Sequence, residues 1–257
     1  MRTTFDQNLF TQIGLDSGSL TLLASVVHSF PEPGAYRGAV HLGEKVESVF
    51  YINADNNSPV AQVNIDLGSL TATPATSSAA GCCCENASKN RENEFVVNPK
   101  GYAVFHVSSG AGGYYVHLRK ADQDPNQKIF DSRKLEEGDI YSAVILRPGR
   151  YSITNTLAKG ASGELTVHYP SVGKTAYRPP APLHVDVSER GFQPHKIEVH
   201  PGQGILFHPK QPSRIKIELV KPDDGPKATG PHSRGGWRKS SLPAPTPPEA
   251  KPKSKSK

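Results

Sequence analysis

Apolar and polar residues alternate through most of the chain up to Val220. Ile197, Val199, Ile205, Phe207, Ile215, Ile217 and Leu219 recur at every second position, with His, Lys or Glu at many of the places between. That period is the signature of strands with one buried face. The same alternation predicts strands over 38–42, 46–54 and 60–67, a meander whose last turn is the polar cluster 55–59. The signal is strongest between Phe95 and Tyr169, where 95–97, 102–107, 114–119, 129–130, 140–146, 151–155 and 165–169 are separated by Gly, Pro, Asn or Asp. Short strands at such spacing predict an all-β, mostly antiparallel sandwich architecture. The run Leu146-Arg147-Pro148-Gly149-Arg150-Tyr151 is a Pro-Gly turn between two such strands. The stretch around 20–27 fits one helical face or a buried strand equally well, and predicts a short helix or edge segment.

Breaks in the alternation mark the expected boundaries. An N-terminal segment 1–34 ends at Pro31-Glu32-Pro33-Gly34, and a β-sandwich region follows over 35–172, with a Ser/Thr/Ala-rich loop at 71–93 that carries Cys82-Cys83-Cys84. A polyproline connector at 175–182 leads to a β segment, 183–221, that packs on or completes the sandwich. Residues 222–257 have almost no apolar side chains beyond Trp237 and Leu242, too few to repay the entropy of folding, and are expected to form a disordered basic tail.

Within 183–220, the pattern Phe192-x-Pro194-x-x-Ile197-x-Val199-x-x-Gly202 followed by Ile205-x-Phe207 resembles the first half of cupredoxins, the small copper-binding β-sandwiches. The resemblance implies a cupredoxin-like shell, and the run Leu146-Arg147-Pro148-Gly149-Arg150-Tyr151 resembles a turn of immunoglobulin-like and transthyretin-like sandwiches, so the expected sandwich is of immunoglobulin-like or cupredoxin-like type. A type-1 copper site needs two His, a Cys thiolate and usually an axial Met. Here no Cys follows Cys84, the only Met is Met1, and the neighbourhood of the family's first ligand His reads Pro212-Ser213-Arg214-Ile215. The copper ligands are therefore not preserved, and no cofactor is expected. Cys82 and Cys84, which fall on one side of an extended chain, and His195, His200 and His208 are the remaining metal candidates. A hairpin across 199–206 would pair His200 with Ile205 and set His208 about 10 Å from His200 at the usual strand rise.

Charge alters this picture mainly at the end of the chain. Eight of the 30 Lys and Arg lie beyond Pro226 against the single acid Glu249, so the formal net charge of +6 resides in the tail. Arg234, Trp237, Arg238, Lys239, Lys251, Lys253, Lys255 and Lys257 are the candidate polyanion-binding residues, since flexible cations release counterions on binding and an aromatic can stack on a base. The apolar run Leu20–Val27 lies behind mostly polar residues and is too short to span a bilayer. No membrane span is expected, and the expected location is cytoplasmic or intracellular.

No zinc-protease, nucleophile-elbow, Walker or dinucleotide-binding motif occurs, so no catalytic residue is assigned. Gly110-Ala111-Gly112-Gly113 leads into a strand rather than a helix and is expected to be a hairpin connection. His106, His117 and His168 sit beside strand apolars as outward-facing or satisfied side chains. The leading expectation is a non-enzymatic structural or protein-interaction module, part of an assembly through self-association or a protein partner, whose tail contacts an acidic partner. The alternatives are a copper-handling or redox protein and a nucleic-acid binder acting through the tail.

Overall fold

Period-two alternation becomes strand almost everywhere it was read, but the strands are sorted into sheets in a way the linear order conceals. The computed structural model describes residues 8–72, 93–122, 128–158, 160–169 and 176–223. Cys82–Cys84 and the basic tail lie outside them, as do the expectations attached to those segments. Met1–Asp224 form one unit. Among the described residues no helix is long and apolar enough to cross a membrane.

A short helix, α1 (Asn8–Thr11), precedes a first series of strands: β1 (Gly14–Asp16), β2 (Ala24–Ser29), β3 (Gly34–Leu42), β4 (Lys45–Ala54) and β5 (Gln62–Asp66). Helix α2 (Leu67–Ala72) follows, then β6 (Glu94–Val97), β7 (Tyr102–His106) and β8 (Tyr114–Lys120). A second series comprises β9 (Phe130–Asp131), β10 (Ile140–Val144), β11 (Gly149–Asn155), β12 (Ser162–Val167), β13 (Leu183–Ser188), β14 (Gly191–Gln193), β15 (Lys196–Val199), β16 (Gly204–Pro209) and β17 (Ile215–Pro222).

Among the described residues the strands form three sheets, two of five strands and one of seven. The five-stranded sheets have the orders β9-β8-β3-β4-β6 and β1-β17-β11-β12-β15, and they correspond strand for strand. The seven-stranded sheet, β14-β13-β16-β10-β2-β7-β5, joins the equivalent triplets β13-β16-β10 and β5-β7-β2 through an antiparallel contact between β2 and β10. Most pairs are antiparallel, and the parallel ones also correspond: β4/β6 with β12/β15, and β5/β7 with β13/β16. The fold is a duplication.

Side chains confirm the equivalence. The turn Pro33-Gly34-Ala35-Tyr36 matches Pro148-Gly149-Arg150-Tyr151: Tyr36 Oη donates to the Glu32 carbonyl at 2.7 Å and Tyr151 Oη to the Arg147 carbonyl at 2.7 Å. Both glycines have positive φ, +147° and +153°, a region that L residues rarely enter. Asp16-Ser17 matches Asp131-Ser132. Each Asp Oδ1 accepts from the backbone N–H two residues on, and each Ser hydroxyl accepts a strand N–H, from Ile215 and Val116 respectively.

The leading strands are exchanged. β1 opens the first series but pairs with β17, the last strand of the second, while β9 opens the second and pairs with β8, the last strand of the first. Each half thus depends on the other for a sheet edge.

Several expectations are corrected by these pairings. The 199–206 hairpin does not form, because β15 joins β12 in one sheet while β16 joins β10 and β13 in another. The Gly110–Gly113 connection is not a hairpin either; it carries the chain from β7 in the seven-stranded sheet to β8 in a five-stranded one. The meander over 38–67 is broken, since β5 leaves β4 to lie parallel to β7. The segment near 20–27 supplies β2, at the middle of the largest sheet rather than at an edge, because Ala24 and Val26 are buried in the core. Strands within 140–167 pair with strands within 183–222: β10 with β16, β11 with β17 and β12 with β15.

One face of the seven-stranded sheet supplies the core. Val26 and Tyr141 are directly opposite each other at the β2/β10 contact, and both are fully buried. The Phe50 ring from β4 reaches Phe105 from β7 at 5.9 Å, and Phe105 stacks on Phe130 at 5.7 Å, linking two layers of the first sandwich-like half. Each fully buried Phe, Ile or Val of this kind stabilises the fold by about 1.5–3 kcal/mol. Packing of the halves is complementary: Gly38 lies beneath the Phe50 ring, whereas the matching positions in the second half are Ile153 and Gly163, with Gly163 facing Phe192.

Candidate functional site

Positions where the two halves differ are where chemistry has been added to a common scaffold. The first is buried. His28 Nδ1 lies 2.7 Å from Asp139 Oδ1, and Asp139 Oδ2 accepts the Glu136 backbone N–H at 2.8 Å. Asp139 is 6% exposed and His28 14%. The symmetric counterpart of this pair across β2 and β10 is Ala24 opposite Ala143, so the scaffold itself requires neither group. Phe130 and Phe30 hold the imidazole on two sides, at 4.5 and 5.3 Å. The ring borders a cleft of about 300 Å³ whose other walls include Phe30, Tyr36, Lys120 and Ile129. A carboxylate at Nδ1 fixes the ring's orientation and leaves Nε2 as the nitrogen able to hold or accept a proton. The Lys120–Glu32 ion pair lies along the same cleft, and the Glu32 carboxyl is lowered by its hydrogen bond from Lys120.

A second cluster occupies the outer face of β3, β8 and β9. His117 Nε2 is 2.9 Å from Asp131 Oδ2, 3.1 Å from an Arg133 Nη and 3.2 Å from Lys128 Nζ. Arg133 donates to Asp131 from its backbone N–H and its guanidinium. Partial burial raises the Asp131 carboxyl, but bonds from His117 and Arg133 outweigh it and hold the group well below the usual carboxylate range. His41 stacks on Tyr115 at 4.7 Å with an 8° interplanar angle, and its buried Nδ1 has no hydrogen-bond partner. Burial first, then the charge of His117, Arg133 and Lys128, pushes the His41 imidazole below its ordinary value.

The outer face of the seven-stranded sheet carries the third. His184 Nδ1 and His208 Nε2 are 2.9 Å apart with nearly parallel rings, and Asp186 is directly opposite His208 in the register. The counterparts in the first half are His106 and Asp66, again directly opposite. Burial raises the Asp66 carboxyl, yet bonds from Ser108, Ser69 and the Gly68 and Ser108 backbone N–H groups bring it down to about 2. Val27, Val104, Ile140 and Leu206 lie between the two His–Asp pairs, and none of them belongs to the core cluster.

The metal candidates do not converge. His200 follows β15 and approaches His168 at 6.2 Å between ring centroids, His208 pairs with His184, and the His195 carbonyl accepts the Glu164 N–H. Among the described residues no group of three His, Cys, Asp or Glu is placed to hold a metal ion. Cys82 and Cys84 and the tail residues Arg234, Trp237, Arg238, Lys239, Lys251, Lys253, Lys255 and Lys257 lie outside the described residues. The His28–Asp139 and His117–Asp131 pairs went unread in the sequence because 111 and 14 positions separate their members, which only the β2/β10 and β8/β9 pairings bring face to face. The repeated Asp-Ser and Pro-Gly-x-Tyr runs at constant spacing were the signal that could have found their setting. Neither a protein-family model, nor a curated protein, nor a solved structure matches the chain.

Proposed function

We propose that this protein is a non-catalytic interaction module, a duplicated β scaffold that docks a protein partner or a second copy of itself. The observation that carries this reading is the outer face of the seven-stranded sheet. Val104, Val27 and Ile140 form an apolar row across β7, β2 and β10, with Leu206 of β16 diagonal to Ile140 in the next row, outside the core and flanked by the two His–Asp pairs. A strip of that kind, rimmed by polar groups, is the composition of a docking patch. The edge strands β5 and β14 extend the same sheet and offer unpaired backbone groups for strand addition. In this reading residues 183–220 keep a cupredoxin-like shell as scaffold only, and the cations of 226–257 add a contact with an acidic partner or nucleic acid.

Light scattering of the eluting protein, combined with cross-linking to co-purifying proteins, tests it. Leu206→Glu places a charge in the strip and is expected to abolish the association while leaving the thermal midpoint within a few degrees of wild type. A wild-type protein that stays monomeric and captures no partner, or an association indifferent to Leu206→Glu, refutes the reading.

A further inference from the structure

We propose that the outer face of β3, β8 and β9 binds a phosphate-type oxyanion in a hollow above Ala39. The register sets three short rows across this face: Arg37 opposite Arg119, Ala39 opposite His117 with Asp131 beyond, and His41 opposite Tyr115 with Arg133 beyond. Lys128 reaches the middle row through His117. The smallest side chain thus sits at the centre, with N–H donors on its β8 and β9 side and along β3, and Val49 of β4 on the other.

Charge at these positions separates the two halves of the molecule. The counterparts of Arg37, Ala39 and His41 are Ser152, Thr154 and Thr156, and those of Arg119, His117 and Tyr115 are Glu218, Lys216 and Arg214. Asp16, Gly18 and Ile13 stand for Asp131, Arg133 and Lys128. In the second half the charges close among themselves: Asp16 accepts two bonds from Arg214, at 3.0 and 2.8 Å, and Lys216 pairs with Glu218 at 2.8 Å. In the first half Arg37, Arg119, Lys128 and Arg133, with two histidines besides, outnumber the carboxylates of Asp131, which pairs with Lys128, Arg133 and His117, of Glu44, which acts on Arg133 from a distance, and of Glu94 at the far end of the Arg37 row.

The Arg37–Arg119 pair is the least expected part. Like charges directly opposite on neighbouring strands destabilise a sheet, and neither arginine has an ion-pair partner among the described residues. An anion between them removes that repulsion. Guanidinium forks suit the planar or tetrahedral oxygens of phosphate, which also accept from imidazole and ammonium donors. Nucleobase stacking is not the mode of recognition, because Tyr115 has His41 on its ring at 4.7 Å and the Arg133 guanidinium 4.1 Å from its centroid.

The test uses the full chain at low ionic strength, with inorganic phosphate as the probe and the ring resonances of His41 and His117 as the local readout. Phosphate is expected to shift these resonances saturably and to raise the pKa of the His41 ring, which burial and its cationic neighbours hold low. Arg37→Ser with Arg119→Glu installs the residues already present in the other half, so folding is expected to be unaffected, and phosphate affinity is expected to fall by about tenfold or more. Lys128→Ile, again the counterpart residue, is expected to weaken binding by a smaller factor. A bulky phosphate monoester forms the second arm: tighter binding than inorganic phosphate identifies the end group of a larger ligand, and equal or weaker binding identifies the free ion. Resonances unmoved by phosphate, or equal affinity in wild type and the double variant, overturn the proposal, the latter because it assigns binding to the tail or to bulk charge.

Discussion

The first half of the molecule, β2–β8 closed by the edge strand β9, and the second half, β10–β17 closed by β1, run the same strand order with the same turns, yet the first carries an unbalanced basic face, and its His28 meets Asp139 at the β2/β10 contact in a buried pair with no symmetric counterpart. At the symmetric place across β2 and β10 stand Ala24 and Ala143, and the second half fills the positions of the basic face with hydroxyls and with the closed Asp16–Arg214 pair. A scaffold duplicated in one chain provides its own control. What the second half does without is not needed to fold, so the additional groups of the first are candidates for use.

The largest expected effect comes from packing that the halves solve in opposite ways. A Cβ at Gly38 would meet the Phe50 ring at 2.1 Å, so Gly38→Ala is expected to cost about 3 kcal/mol or more, the upper range for overpacking. Phe50→Ala alone should also cost about 3–5 kcal/mol through the cavity it leaves. The double variant moves toward the Ile153/Gly163 arrangement, and denaturant titration should show it less damaged than the sum of the singles by about 1–3 kcal/mol. Strict additivity would mean that the two positions do not share a space, and would break the comparison.

A smaller effect tests the exchange of leading strands. Asp16→Ala removes both bonds to Arg214, whose side chain is only a third exposed, at an expected cost of about 2 kcal/mol. Because β1 closes the second half, amide exchange should accelerate at Ile215 and Ile217 rather than at β2 or β3. Acceleration confined to the first half would contradict the crossed pairing.

The smallest effect is on acid stability. Asp66, brought down to about 2, protonates later than it does in the unfolded chain, so its contribution is complete above about pH 4 and is lost as pH falls toward 2. His41 and His208 are lowered by burial, so the unfolded chain takes up their protons first and stability also declines as pH falls just below about 6.5. Urea midpoints should step down between pH 7 and 5.5, and again below pH 4. His41→Gln should flatten the first step, and phosphate, if it occupies the basic face, should reduce it. A midpoint that rises on acidification would reverse the sign and exclude this assignment.

Much of the secondary structure was legible because alternation reports a half-buried strand directly: the predicted stretches 114–119 and 151–155 coincide closely with β8 and β11. The partners of each strand were not legible. β15 and β16 follow one another through Pro201-Gly202, which reads as a hairpin, yet Phe207 is drawn to Tyr141 in one sheet and Ile197 to Leu165 in the other. Turn residues state that the chain reverses, while the burial of both flanking apolar faces decides which sheet it reverses into. The basic face was hidden for the same reason. Arg37 and Arg119 are unremarkable as surface residues until the β3/β8 register sets them side by side.

Local pattern, then, is enough to make this chain a β protein, to place its turns at Pro-Gly and Asx clusters, and to concentrate its net positive charge in the last thirty-odd residues. The crossed leading strands, the parallel pairs, the seven-stranded sheet shared by both halves and the meeting of His28 with Asp139 arise only on folding. They depend on contacts between residues far apart along the chain, and the free energy that selects them is burial of a common apolar face, a quantity that belongs to the assembled layers and to no single segment.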